Sequence, residues 1–207
     1  MKKVLVVVVL VVLTMGSAFA QKGTWYIGTS AMTSLTDLDD PGSAFVTGVM
    51  VGKVDDATAT CFGIAPDAGY FVSDKFSVGL GVAFNLMSEK ANKDADAFKT
   101  TSFGVNPYVR YFAISKGNFG LYLQGGLSFI SCTADEPDPI TWKPKSGDAF
   151  NVFNIGINPG ISYKLGDNFG VTAAFGYLGY ASVGDDASAF GLNVDMSTLR
   201  FGLSWSF

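Results

Sequence analysis

One of the side chains that most often does protein chemistry is missing from this chain of 207 residues: it contains no histidine. That removes Ser–His and Cys–His nucleophiles, imidazole general bases and His-ligated zinc together. No serine stands beside another evident base, so no enzyme is expected. Asp37-x-Asp39-Asp40 could offer oxygens to a hard divalent cation. The trio lacks the spacing of an EF-hand loop and reads as solvated loop charge, so neither metal nor cofactor is assigned. The remaining candidates are charges set within apolar stretches: Asp67, Arg110, Lys164 and Arg200, with Tyr108, Tyr122 and Gln124 near them. Such groups make either a paired polar core or the lining of a pore. The elements that hold them decide which.

Those elements are hairpins. The pattern apolar-Gly-apolar-x-Pro-x-x-x-Tyr occurs at residues 62–70, 103–111 and 155–163. Each copy runs into a short polar turn (73–75, 115–118, 166–168), then a Phe and an alternating apolar run that begins at Phe76, Phe119 or Phe169. Turn residues between two period-two runs signal a β-hairpin. With one strand at 24–32 and another at 195–207, the count reaches eight. The other four connections, at 33–57, 87–99, 132–149 and 182–193, are long. Pro66, Pro107 and Pro159 share one repeat position and predict a shared local irregularity, because proline cannot donate to a ladder.

Side chains alternate faces along a strand. Phe201, Leu203, Trp205 and Phe207 share one face, an apolar ending that would fray in water. Placing that face outward also turns out Phe62, Ile64, Tyr70, Phe76, Val78, Leu80, Phe84, Phe103, Tyr111, Phe129, Ile157 and Tyr177, with no charge among them. Asp67, Arg110, Tyr122, Gln124, Lys164 and Arg200 then point inward with many glycines, which would leave the interior partly unfilled. Phe71 and Phe112 also point inward and could close the short-turn end. A soluble barrel has the reverse polarity. Aromatics bracket the outward runs at eight-residue spacing (Phe62 and Tyr70, Phe76 and Phe84, Phe103 and Tyr111, Phe169 and Tyr177). Eight steps span ~26 Å along a strand, or ~20 Å of height at a ~40° tilt, which suits girdles flanking a lipid band. Cys61 and Cys132 lie at the long-loop end with inward parity, and a bridge between them requires Cys132 to fold over the mouth.

The N-terminus carries Lys2 and Lys3, ten apolar residues from Val4 to Leu13, and Ala18-Phe19-Ala20. This reads as a secretory signal peptide over residues 1–20, with a barrel domain over 21–207. Without Lys2 and Lys3, 12 basic groups face 18 acidic ones, a net −6 that argues against nucleic acid.

With its leader, its Gly-x-x-Pro-x-x-x-Tyr hairpins and its terminal Phe207, the chain resembles the small eight-stranded outer-membrane β-barrels of Gram-negative bacteria. These are OmpA/OmpX-like barrels, often labelled a porin family. The resemblance implies an all-β, eight-stranded antiparallel transmembrane barrel with short periplasmic turns and long extracellular loops. It implies contact with outer-membrane lipid and with the insertion machinery, whose C-terminal signal would be Phe201, Leu203, Trp205 and Phe207. A monomer without cofactor is expected, with a structural role or a surface partner at the acidic loops. The alternative is a narrow porin-like channel for small solutes. Leu203→Asp or Trp205→Asp should leave the chain out of the outer-membrane fraction, whereas wild type there should migrate faster on a gel unheated than boiled. Asp variants recovered in the membrane like wild type would refute the outward assignment.

Overall fold

The computed structural model describes residues 22–31, 47–184, 187–194 and 199–207. The leader and the aspartates at 37, 39, 40, 185 and 186 lie outside the described residues. Alternating apolar and small or polar residues make strands throughout, all paired antiparallel. In chain order these are β1 (Trp25–Ala31), β2 (Gly48–Val54), β3 (Ala57–Ile64), β4 (Pro66–Phe71), β5 (Phe76–Lys90) and β6 (Phe98–Lys116). There follow β7 (Phe119–Pro137), β8 (Pro144–Lys164), β9 (Phe169–Ala174), β10 (Tyr177–Val183), β11 (Ala187–Asn193) and β12 (Arg200–Ser206).

Eight of these close a ring at the short-turn end, in the order β1, β4, β5, β6, β7, β8, β9, β12 and back to β1. Closure rests on six register pairs from Tyr26↔Ser206 to Ala31↔Phe201. Farther up, β3 continues β4 beside β5, and β10 continues β9 beside β8. Three short turns join the hairpins at one end, and Gly117 supplies the left-handed residue of the tightest (φ 58°). No helix among the described residues is long and apolar enough to cross a membrane.

The outward face is apolar as expected: Ile64, Phe76, Leu80, Phe103, Ile157, Phe201 and Leu203 are all exposed, while the residues between them are covered. The irregularity at the prolines is also present. The first copy of the repeat breaks at Ala65, between β3 and β4, just before Pro66. The β6–β7 ladder skips from Val105↔Phe129 to Tyr108↔Gly126, across Pro107. The wall opposite Pro159 is broken between β9 and β10.

Two expectations are corrected. Tyr177 faces inward. Between Gly160↔Ala174 and Ile157↔Leu178 the register slips by one residue, through Phe175 and Gly176. Gly176 has φ 71°, open to glycine, and the extra residue is a bulge that flips every following side chain. Leu178 and Tyr180 therefore take the outward positions. Second, the long loops are mostly sheet. β5, β6, β7 and β8 run 15, 19, 19 and 21 residues, which shortens the second and third loops to residues 91–97 and 138–143. The first and last fold back as the hairpins β2–β3 and β10–β11. Ladder bonds do not depend on side-chain polarity, so strands continue past the point where the apolar alternation fades.

The bulge is testable by spin labels in a Cys61→Ser/Cys132→Ser background. A label at Leu178→Cys should collide with lipid-dissolved oxygen, and one at Ala181→Cys with aqueous nickel. The opposite pattern would restore the unshifted register.

Candidate functional site

The interior is organised around Arg110. Inward parity on β6 brings Tyr108, Arg110 and Phe112 to the lumen; β4 contributes Asp67 and Phe71, β7 contributes Tyr122 and Gln124, and β1 contributes Tyr26. Arg110 Nη2 lies 3.5 Å from Asp67 Oδ2. Its Nε donates to Gln124 Oε1 at 2.6 Å. Its guanidinium carbon stands 4.6 Å from the centre of the Tyr108 ring, 5.3 Å from Tyr26 and 5.4 Å from Tyr122. Tyr108 donates to Asp67 Oδ2 at 2.5 Å, and Tyr26 donates to Tyr108 at 3.1 Å. The Ser77 hydroxyl is 3.2 Å from that of Tyr26. The charge is thus held by a carboxylate, an amide and three ring faces, which is what a guanidinium removed from water requires.

Glycines make room for the rings. Tyr26 sits directly opposite Gly69, Tyr108 opposite Gly79 and Tyr122 opposite Gly160. A Cβ at any of these glycines would fall within 2.3–2.4 Å of the tyrosine ring. Each of these three glycines is therefore roofed by a ring from the next strand, while Gly81 and Gly126 line the space above that stays partly unfilled, as the sequence suggested. Gly28 does the same for Asp67, whose Oδ1 would lie 2.7 Å from an added Cβ.

Below Arg110 the rings stack into a floor. Tyr26–Phe71, Phe71–Phe112 and Phe112–Tyr122 have centroids 5.5, 5.4 and 5.5 Å apart. Phe71 and Phe112 are buried, and they close the short-turn end as their parity suggested. Above the cluster a cavity of about 150 Å³ is lined by Asn106, Ser128, Asn154, Asn158, Tyr177 and Arg200, among others. Tyr177 donates to Asn154 there. Tight polar walls with water-sized room suit ordered water.

Of the expected interior residues, the structure gathers Asp67, Arg110, Tyr122, Gln124 and Arg200 around one lumen. Lys164 stands apart, at the last residue of β8 beside a short turn. Tyr26 and Asn154 were not foreseen; the signal for Tyr26 was its parity between the outward Trp25 and Ile27. Among the C-terminal residues, Phe201, Leu203 and Phe207 are exposed and Trp205 packs on Phe169 at 6.2 Å. Cys61 and Cys132 are not bridged: Cys132 lies in β7 itself, three strands around the ring from β3, not in a loop over the mouth. No group of three His, Cys, Asp or Glu that could hold a metal occurs among the described residues.

At the far end of β7 and β8, Asp138 pins a tight turn. Its Oδ1 accepts from the Ile140 N–H at 3.0 Å, the Thr141 N–H at 2.7 Å and the Thr141 hydroxyl at 3.0 Å. Those donors hold its carboxyl below the usual carboxylate range. The turn presents Ile140 and Trp142, 86% and 76% exposed.

A family model described as "Outer membrane protein beta-barrel domain" matches residues 5–207. Among solved structures, the N-terminal β-barrel domain of Pseudomonas aeruginosa OprF is similar at 16% identity and TM-score 0.42, covering 90% of this chain and 98% of that one. Neisserial surface protein A is similar at 17% identity and TM-score 0.40, covering 89% and 97%. No curated protein matches.

Arg110→Ala should cost ~3–5 kcal/mol, because it leaves the Asp67 carboxylate unpaired in the lumen. The Arg110→Ala/Asp67→Ala double variant should cost less than the sum of the singles in urea unfolding from lipid vesicles. Additive losses would show that the two do not act together. Gly79→Ala should destabilise as well, by displacing the Tyr108 ring.

Proposed function

The chain belongs to the outer membrane protein β-barrel domain family, and we propose that within it this protein is a closed, non-enzymatic barrel of the outer membrane. In this reading it carries rigid hairpins above the surface rather than solutes through the wall. The aromatic floor supports this. Phe71, Phe112, Tyr26 and Tyr122 stack across the short-turn end, and the cation above them is fully engaged. Eight strands enclose an interior about as wide as the side chains that fill it.

The working surface is then the loop end. β7 and β8 continue well past the outward apolar run, whose last ring pair is Phe129–Phe153 at 5.1 Å. Eight further residues of β7 add ~20 Å of height at the tilt of such barrels. The turn they carry is held by Asp138 and offers Ile140 and Trp142 as a preformed apolar contact. A preordered tip loses little entropy on binding, and Trp is a frequent anchor residue. Because the Asp138 carboxyl titrates below its free value, the pinned turn is fully present at neutral pH and loosens as pH falls through that lowered range.

Planar-bilayer conductance separates scaffold from channel. Purified protein should show no steady conductance, and Phe71→Ala/Phe112→Ala should introduce one. A reproducible wild-type conductance altered by Arg110→Ala or Arg200→Ala would establish the narrow porin-like channel instead.

A further inference from the structure

The inner wall carries a row of sulfur that the Arg110 cluster does not use. The described residues include four sulfur-bearing side chains: Met50, Cys61, Met87 and Cys132. Three of them stand in one cross-strand row. Met50 on β2 lies opposite Cys61 on β3, and Cys61 lies opposite Met87 on β5. All three face the lumen. Cys61 is fully buried while its neighbour Phe62 is exposed, and Met50 sits between the exposed Val49 and Val51. Met87 follows the outward Leu86. Cys132 is not in the row; its partners on either side are Ser102 and Phe150.

Residues directly opposite one another in an antiparallel sheet have Cβ atoms ~4.5–5.5 Å apart. A thiol sulfur is one bond beyond Cβ; a thioether is two, on a chain that adapts its torsions. Three such sulfurs can therefore close on one ion at metal–sulfur lengths of ~2.3 Å.

We propose that Met50, Cys61 and Met87 form a soft-metal site for a monovalent d10 cation, Cu(I) or Ag(I), bound by three sulfurs. Thioethers and thiolate select soft ions over hard ones. The row holds no imidazole or carboxylate that would favour zinc or calcium. Binding exchanges one cation for one proton: the Cys61 S–H bond breaks, an S–metal bond forms, and the proton leaves to solvent with no change of oxidation state. The thiolate and a monovalent cation together are neutral, so the filled site adds no net charge to the wall, whereas a divalent ion would leave one. The flanking methionines are half-buried and can swing aside, which gives an ion a way from the lumen to the covered thiol.

The test is competition for Cu(I) against bicinchoninate, using the full barrel folded in detergent micelles under reducing conditions. Folding of each variant is checked by heat-modifiable gel mobility. Wild type and Cys132→Ser should each take up one Cu(I) per chain, with X-ray absorption reporting sulfur ligands only. Cys61→Ser should lose that uptake. Met50→Leu/Met87→Leu keeps volume nearly constant, so it should fold, and should bind at least ~10-fold more weakly. Wild-type affinity in that double variant would overturn the proposal by reducing the site to a lone thiol. Loss of uptake in Cys132→Ser, or nitrogen or oxygen ligands in the absorption spectrum, would overturn it as well.

Discussion

Hydrocarbon offers no hydrogen bonds, so every backbone N–H and C=O facing it must be satisfied within the wall. The rest of this structure depends on that constraint. It forces the sheet to close, and here closure falls to the short strands β1 and β12, whose six register pairs join the two ends of the chain. It also reverses the polarity of the strands. With the backbone satisfied, the outward side chains need only be apolar, and every charge must find its partners inside.

The interior meets that requirement with few residues. The Arg110 guanidinium is balanced by the Asp67 carboxylate and flanked by Gln124 and three tyrosine rings, one of which also donates to Asp67. A narrow ring cannot hold bulky side chains on every strand. The chain answers with glycine on one strand and tyrosine on its neighbour, so that each ring lies over backbone, and the hydroxyls of Tyr26 and Tyr108 reach the polar centre. Gly79 and Tyr108 show the logic: the same pair fills space, completes the ladder and delivers a donor to Asp67.

Much of this was legible in the sequence, because period-two alternation needs no tertiary information. The hairpins, the outward row from Phe201 to Phe207 and the inward parity of Asp67, Arg110, Gln124, Phe71 and Phe112 all followed from it. Parity fails where one residue is inserted. Phe175-Gly176 reads as two more positions of an alternating strand, and only the left-handed glycine reveals the bulge that brings Tyr177 to Asn154. The extended hairpins were hidden for a different reason. Above the lipid, both faces of β7 and β8 meet water, so pairs such as Glu136↔Lys145 carry no apolar signal. The contact of Tyr26 with Arg110 was also out of reach, since β1 and β6 are not neighbours in the ring and the two side chains meet only across the lumen of the closed barrel.

The continuous ladder links the membrane wall to the surface it displays. β7 and β8 are paired almost without interruption from Phe119↔Tyr163 at the short turn to Pro137↔Pro144 at the tip. Their one register shift, between Thr133 and Asp135, lies opposite Gly147, where an added Cβ would come 2.7 Å from the Ala134 carbonyl oxygen. A bulge bends and twists the strand that carries it. This one sits above Phe129 and below Asp138, so it aims the Ile140–Trp142 turn without disturbing the lipid-facing register. The direction in which that turn points is therefore set by backbone geometry and by a glycine that tolerates it, while its height is set by strand length.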